Sequence, residues 1–196
     1  MGNDLRAAIR PSLVMLILFT LLTGLAYPAL LTGIAQAVFP AQANGSLIRN
    51  GGTVVGSELI GQSFAAPKYF HGRPSAAGKG YDGTASSGSN LGPASKALVD
   101  RVTVDLKAAR ADGLTGPVPA DMVTTSASGL DPDISPATAY AQVARVAAAR
   151  GMADGVVKAM VDAAVVAPLA GVLGEPRVNV LMLNRQLDRG GAQPAP

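Results

Sequence analysis

The sequence predicts an α+β fold, with one N-terminal transmembrane helix followed by a small mixed soluble domain of short strands and about three helices. Three features carry that prediction. No charged residue falls between Arg10 and Arg49. Downstream, β-branched runs without helical period alternate with segments whose apolar residues recur at helical spacing. Glycine (23) and proline (14) are frequent enough to break those segments with loops, which argues against a helical bundle. A chain of 196 residues holds one ordinary domain and a short appendage.

The densest apolar stretch, Ser12 to Ile34, reads SLVMLILFTLLTGLAYPALLTGI. About 20 helical residues cross a hydrocarbon core of roughly 30 Å, so this stretch spans with some tilt. Gly24 and Pro28 are costly in a soluble helix but tolerated in lipid, and Tyr27 lies deeper than an interfacial belt. A permanent anchor competes with a cleaved signal peptide, for which Ala35-Gln36-Ala37 has the small-x-small form, and with a buried core helix. Signal peptides have apolar regions of roughly 7–15 residues, and a core helix would carry a polar face; both properties favour the anchor. Arg6, Arg10 and the terminal amine oppose Asp4 alone, and the first charge beyond the span is Arg49. The positive-inside rule therefore places the N-terminus in the cytoplasm and residues after about 40 outside. The expected organisation is a cytoplasmic N-terminus at 1–11, the transmembrane helix at 12–34, a linker at 35–50, an extracytoplasmic soluble domain at 51–188 and a disordered tail at 189–196.

Within the soluble part, Thr53 to Phe64 predicts short strands or a bend, and Gly52 to Gly56 a turn and strand. His71 to Ser95 is a long Gly/Ser/Ala-rich loop, a kind often functional. Pro93 opens a helix along which Leu98, Val102, Leu106 and Ala109 recur, with Gly113 as its stop. Ser135-Pro136 starts a second helix with Tyr140, Ala144 and Ala147 on one face, ending at Gly151. Asp154 is expected to cap a third, running through Val165. The strict alternation that begins at Arg177 predicts a strand to Leu187.

Composition and motifs exclude several classes. A net charge of +3, without a dense run of Lys or Arg, gives no nucleic-acid surface. The absence of cysteine removes disulfides and thiolate metal sites. Gly78-Lys79-Gly80 fails as a phosphate loop, because Arg73 stands where the first glycine belongs. There is no G-x-S-x-G elbow, and His71 is the sole candidate base for a triad. The chain reads as a non-enzyme, with no catalytic residue and no metal ligand set.

Two groupings remain. Gln62, Phe64, Tyr69 and Phe70 lead into the Gly-rich loop, and Arg73, Tyr81, Asp82, Ser89 and Asn90 are spaced along it. They make either a partner interface, in which aromatics and Arg are enriched, or a small core with an Arg73–Asp82 ion pair ordering the loop. Asp131-Pro132-Asp133-Ile134-Ser135 makes either a cation site or a turn followed by a helix cap.

These blocks resemble the C subunit of the Kdp potassium-transporting P-type ATPase of bacteria and archaea. The resemblance spans essentially the whole chain. It covers Arg10-Pro11, Leu59 to Phe64, Tyr69 to Ser75, Tyr81-Asp82, Ser86 to Gly92, Val118 to Val123, Ser126 to Ser135, Gln142 to Val146, and Gly174 to Leu181 with Leu183-Asn184. Ser87 replaces one glycine of the family's usual S-G-G-S-N-L-G pattern. The resemblance implies an accessory, non-catalytic subunit of a high-affinity, ATP-driven potassium uptake complex in the bacterial inner membrane. It would stabilise assembly of a channel-like, potassium-binding subunit with an ATP-hydrolysing subunit, alongside a small single-span subunit. It would also act as a catalytic chaperone that raises the ATP affinity of the ATPase subunit. The resemblance further implies a nucleotide-contacting glutamine, matched here by Gln142, with ATP shared with the ATPase subunit. Charge places the domain outside, away from ATP, so an outside-facing cap at the channel entrance competes with a cytoplasmic nucleotide-affinity modulator. A membrane-anchored solute- or envelope-binding domain unrelated to transport is the alternative from another class.

Overall fold

The computed structural model describes residues 2–190, which divide into two compact units at the Leu47–Ile48 boundary. In the first unit α1 (Gly2–Leu21) passes through a π turn at Leu22–Ala26 into α2 (Tyr27–Val38), and the short α3 (Pro40–Ala43) follows. Arg6–Val38 is long and apolar enough to cross a membrane, with mean hydropathy 2.2, and none of its most apolar stretch is buried. At the π turn the Tyr27 N–H bonds Leu22 O, and Thr23 Oγ1 donates to Phe19 O at 2.6 Å. The helix runs beyond the 12–34 boundaries at both ends, and the expected 35–50 linker contains the end of α2, all of α3 and β1.

A hairpin of β1 (Leu47–Asn50) and β2 (Thr53–Ser57) follows at the start of the second unit; the turn-and-strand reading of Gly52 to Gly56 anticipates its turn and β2, while β1 falls in the stretch read as linker. Gly51 and Gly52, at φ 55° and 88°, supply the left-handed pair that a two-residue hairpin turn requires. After the long loop come α4 (Lys96–Ala111), β3 (Asp133–Ile134), α5 (Pro136–Arg150), α6 (Asp154–Ala164), β4 (Val165–Val166), β5 (Arg177–Asn179) and α7 (Val180–Gly190). The strands form an antiparallel sheet in the order β3-β5-β4, with Val178 opposite both Ile134 and Val165. Phe70, Ile134, Val146, Val157, Val161, Val178, Leu183 and Leu187 close the core between this sheet and α5, α6 and α7.

Several expectations change. The strand read from Arg177 to Leu187 stops at Asn179, where α7 begins. Val180, Leu183, Asn184 and Leu187 carry a helical i, i+3, i+4, i+7 spacing that the alternation at its start hides, and all four are buried. Arg189 and Gly190 belong to α7, while 191–196 lie outside the described residues. Helix α4 starts at Lys96 with Ser95 as its N-cap residue, three positions past Pro93; Ala109 is its one buried residue, and Leu106 is exposed. The buried face of α5 holds Ala139, Gln142, Val143, Val146 and Ala147; Tyr140 and Ala144 face out. Ala153 takes the N-cap position of α6, so Asp154 is its first helical residue and makes no cap hydrogen bond.

Candidate functional site

Residues 66–71 form no strand, yet their carbonyls are bonded one after another by side chains. Phe70 enters the core with no exposed surface, which carries its neighbours' peptide groups out of water. Such groups must find partners. Asn184, 1% exposed on α7, supplies both for Phe70: the Phe70 N–H donates to Oδ1 at 2.8 Å and Nδ2 donates to Phe70 O at 2.9 Å. Gln142 on α5 repeats the arrangement one residue on, accepting the His71 N–H at 2.8 Å and donating to His71 O at 3.1 Å. Arg145 donates to Pro67 O and Tyr69 O, and Arg150 to Lys68 O at 2.7 Å. Two helices thus hold the loop as a neighbouring strand would.

A second clamp joins the loop to residues 124–131. Arg73 pairs with Asp131 at 3.0 Å, not with Asp82. Its other guanidinium nitrogen reaches Thr125 O at 3.3 Å. Ser75 Oγ donates to Gly129 O at 2.6 Å and accepts the N–H groups of Ala77 and Tyr81. Gly129 sits at φ 66°, and a Cβ there would lie 2.6 Å from Ala77 N and 2.7 Å from Ser87 O. Only glycine fits both the conformation and the gap. Tyr81 donates to Arg73 O at 2.6 Å; burial, with Asp131 nearby and Arg73 opposing, pushes its pKa up to about 12.

The remaining candidates divide. Gln62 Nε2 donates to Val55 O at 3.0 Å. Phe64 and Tyr69 rings lie 5.4 Å apart, and Tyr69 donates to Asp188 at 3.1 Å. Asp82 accepts the Thr84 N–H and hydroxyl, which hold its carboxyl below the usual range. Ser89 is half-buried, and Asn90 is exposed at φ 51°. The face between loop and α4 forms a cleft of about 370 Å³ lined by His71, Arg73, Tyr81, Asp105, Gln142 and Arg145. The Asp131–Ser135 segment is a turn followed by a cap. Asp131 Oδ1 accepts the Asp133 N–H, Asp133 pairs with Arg177 at 2.9 Å, and Ser135 Oγ accepts the Thr138 N–H.

Sequence reading missed Asn184, Arg145 and Arg150 as loop holders, and also Asp121. Asp121 accepts the Ser135 N–H at 2.7 Å, the Ser135 hydroxyl at 3.0 Å and the Thr138 hydroxyl at 2.5 Å. Its signal was faint, a carboxylate fourteen residues before the cap it serves. Burial alone would raise its pKa, but the bonds from Thr138 and Ser135 outweigh this and lower it. The stability it adds is therefore present above the unfolded value near ~3.9 and is lost as pH falls through the lowered folded value. Burial, with Arg145 beside it, lowers the pKa of His71, so His71 starts an earlier loss below ~6.5. Asp121→Asn is expected to flatten the lower limb of a melting-temperature profile between about pH 5 and pH 2 and to leave the His71 limb in place.

Fold and site together define a class: a small α+β domain preceded by one helix long enough to cross a membrane, with most of its polar motif residues engaged in fixing its own loops. Among the described residues no group of three His, Cys, Asp or Glu is placed to hold a metal. The family model described as K+-transporting ATPase, c chain, matches residues 9–189. A Potassium-transporting ATPase KdpC subunit of Caulobacter vibrioides is 62% identical over 181 residues, covering 92% of each chain. Those of Allorhizobium ampelinum and Variovorax paradoxus are each 57% identical, covering 94% of this chain and 97% of their own. The chain belongs to the KdpC family of C chains of K+-transporting ATPases.

Proposed function

We propose that this chain is an accessory subunit that stabilises an ATP-driven potassium uptake complex from the outside face of the membrane. Its N-terminus lies in the cytoplasm and its domain caps the entrance of the channel-like subunit. The flanking Arg6 and Arg10 support this orientation. Its influence on the ATP affinity of the ATP-hydrolysing subunit is transmitted through assembly contacts and not through nucleotide held by this chain.

The observation that carries this reading is the state of Gln142. The residue is 4% exposed; Oε1 accepts from His71 N and from Arg145 at 2.6 Å, and Nε2 donates to His71 O and to Thr138 O at 3.3 Å. An amide with both ends satisfied inside the fold has little left for a phosphate or a base. The turn 168–173 supports a docking role. It is closed by two bonds between Leu169 and Leu173 at 2.9 and 3.0 Å, yet Leu169 is 73% and Val172 79% exposed. A pre-organised apolar tip loses little freedom on binding.

Two measurements test the proposal. A cysteine at Ser86 should react with a membrane-impermeant reagent from outside intact cells; protection there removes the outside-facing cap. Leu169→Ser and Asn90→Gly are expected to reduce co-purification with the partner subunits several-fold, with melting temperature unchanged. A collapse of melting temperature with the complex intact would make both residues structural.

A further inference from the structure

A second groove, about 600 Å³ in volume, runs along α7 beside β5 and β4, and none of the loop-ladder residues lines it. One side is apolar: Leu59, Val166 and Met182 line it and are 59%, 46% and 41% exposed. The other side is cationic. Arg177, Arg185 and Arg189 line it, with Glu58 and Asp133 as the only carboxylates. Arg177 and Asp133 pair at 2.9 Å and neutralise each other. Arg185 and Arg189 are then left against Glu58 alone, so the groove keeps an excess of positive charge. Arg185 and Arg189 stand one helical turn apart on α7, neighbours on one face. Arg189 has no ion-pair or hydrogen-bond partner among the described residues, and Arg185 donates only to the carbonyl of Arg49, at 3.3 Å. The Arg49 guanidinium itself donates to Gly52 O at 3.2 Å and does not line the groove. Arg49 is also the first charge after the apolar helix.

Guanidinium groups suit phosphate oxygens, which they meet with paired N–H donors. Aliphatic walls beside them suit a hydrocarbon body. We propose that this groove binds the headgroup and upper chain of an anionic phospholipid, a site independent of the assembly role. Charge complementarity selects an anion, and the apolar wall selects one with a hydrocarbon part. A chain with a membrane-spanning helix meets lipid at high effective concentration.

The test uses the full chain in a nonionic detergent, titrated with dioctanoyl phosphatidylglycerol, dioctanoyl phosphatidylcholine and glycerol phosphate. Phosphatidylglycerol is expected to bind at least ten-fold tighter than either of the other two. R185Q/R189Q should lose at least ten-fold of that affinity. R189Q alone, which breaks no internal contact, should lose about three-fold, and R6Q/R10Q should lose none. Equal affinity for phosphatidylcholine, or wild-type affinity in R185Q/R189Q, would overturn the proposal. Glycerol phosphate binding as tightly as the lipid would overturn it too, since the site would then be one for a free anion. If R185Q/R189Q keeps its lipid affinity but fails to co-purify with its partner subunits, the groove seats an acidic protein segment instead.

Discussion

Asn184→Ala is expected to destabilise the second unit by about 3 kcal/mol or more, lowering the melting temperature by roughly 10 °C. The residue is 1% exposed, and its side chain serves a donor and an acceptor of Phe70 together. Alanine leaves both buried peptide groups without partners, at about 1–3 kcal/mol each, and opens a gap beside Phe70. Asn184→Asp is the sharper variant. A carboxylate can accept the Phe70 N–H but places a second oxygen against Phe70 O, so it should be the worse of the two at neutral pH and recover on acidification. Calorimetry of the purified chain decides the matter. A loss below about 1 kcal/mol for Asn184→Ala would mean that water replaces the amide and the loop is held elsewhere.

Gln142→Ala is expected to cost a similar amount, about 2–4 kcal/mol, because it frees the His71 peptide and removes one acceptor of Arg145. Its functional signature separates two roles for this glutamine. When the complex is assayed well below the melting temperature of the variant, KM for ATP should match that of the wild type. Complex yield should fall in proportion to the folded fraction. A glutamine that touched nucleotide would give the reverse pattern: a raised KM for ATP with little change in melting temperature.

Gln142 and Asn184 also mark the limit of what could be read from residue order. The apolar helix, the Gly52 turn with β2, the Ser135 cap and the start of β5 were foreseen, because each rests on local spacing or turn chemistry; β1 was not, since Leu47–Asn50 was read as linker. Whether residues 66–71 would be laid against two helices could not be foreseen in that way. The contacts link His71 to Gln142 and Phe70 to Asn184, across separations of 71 and 114 residues. An isolated amide in an otherwise apolar helix face carries no local mark of its partner. The same distance explains why Arg73 was offered Asp82 as a mate. Asp82 is the nearer carboxylate in sequence, but Asp131 is brought in by the close approach of Gly129 to Ala77 and Ser87. The α7 helix was hidden for another reason. Its first residues continue an alternation that belongs to β5, and the switch from a two-residue to a 3.6-residue repeat falls at Asn179–Val180 with no glycine or proline to announce it.

The π turn at Leu22–Ala26 bears on how the apolar helix meets a neighbour. One surplus residue in a turn advances everything after it by about 100° around the axis. Leu30 and Ile34 therefore do not continue the stripe that Leu13 and Leu16 begin, as a count by threes and fours would have them do. A straight companion helix lying along this one touches two half-stripes whose numbering is out of phase by a single position. Scanning the span residue by residue should show a periodic response that breaks between Leu21 and Tyr27 and resumes one step late.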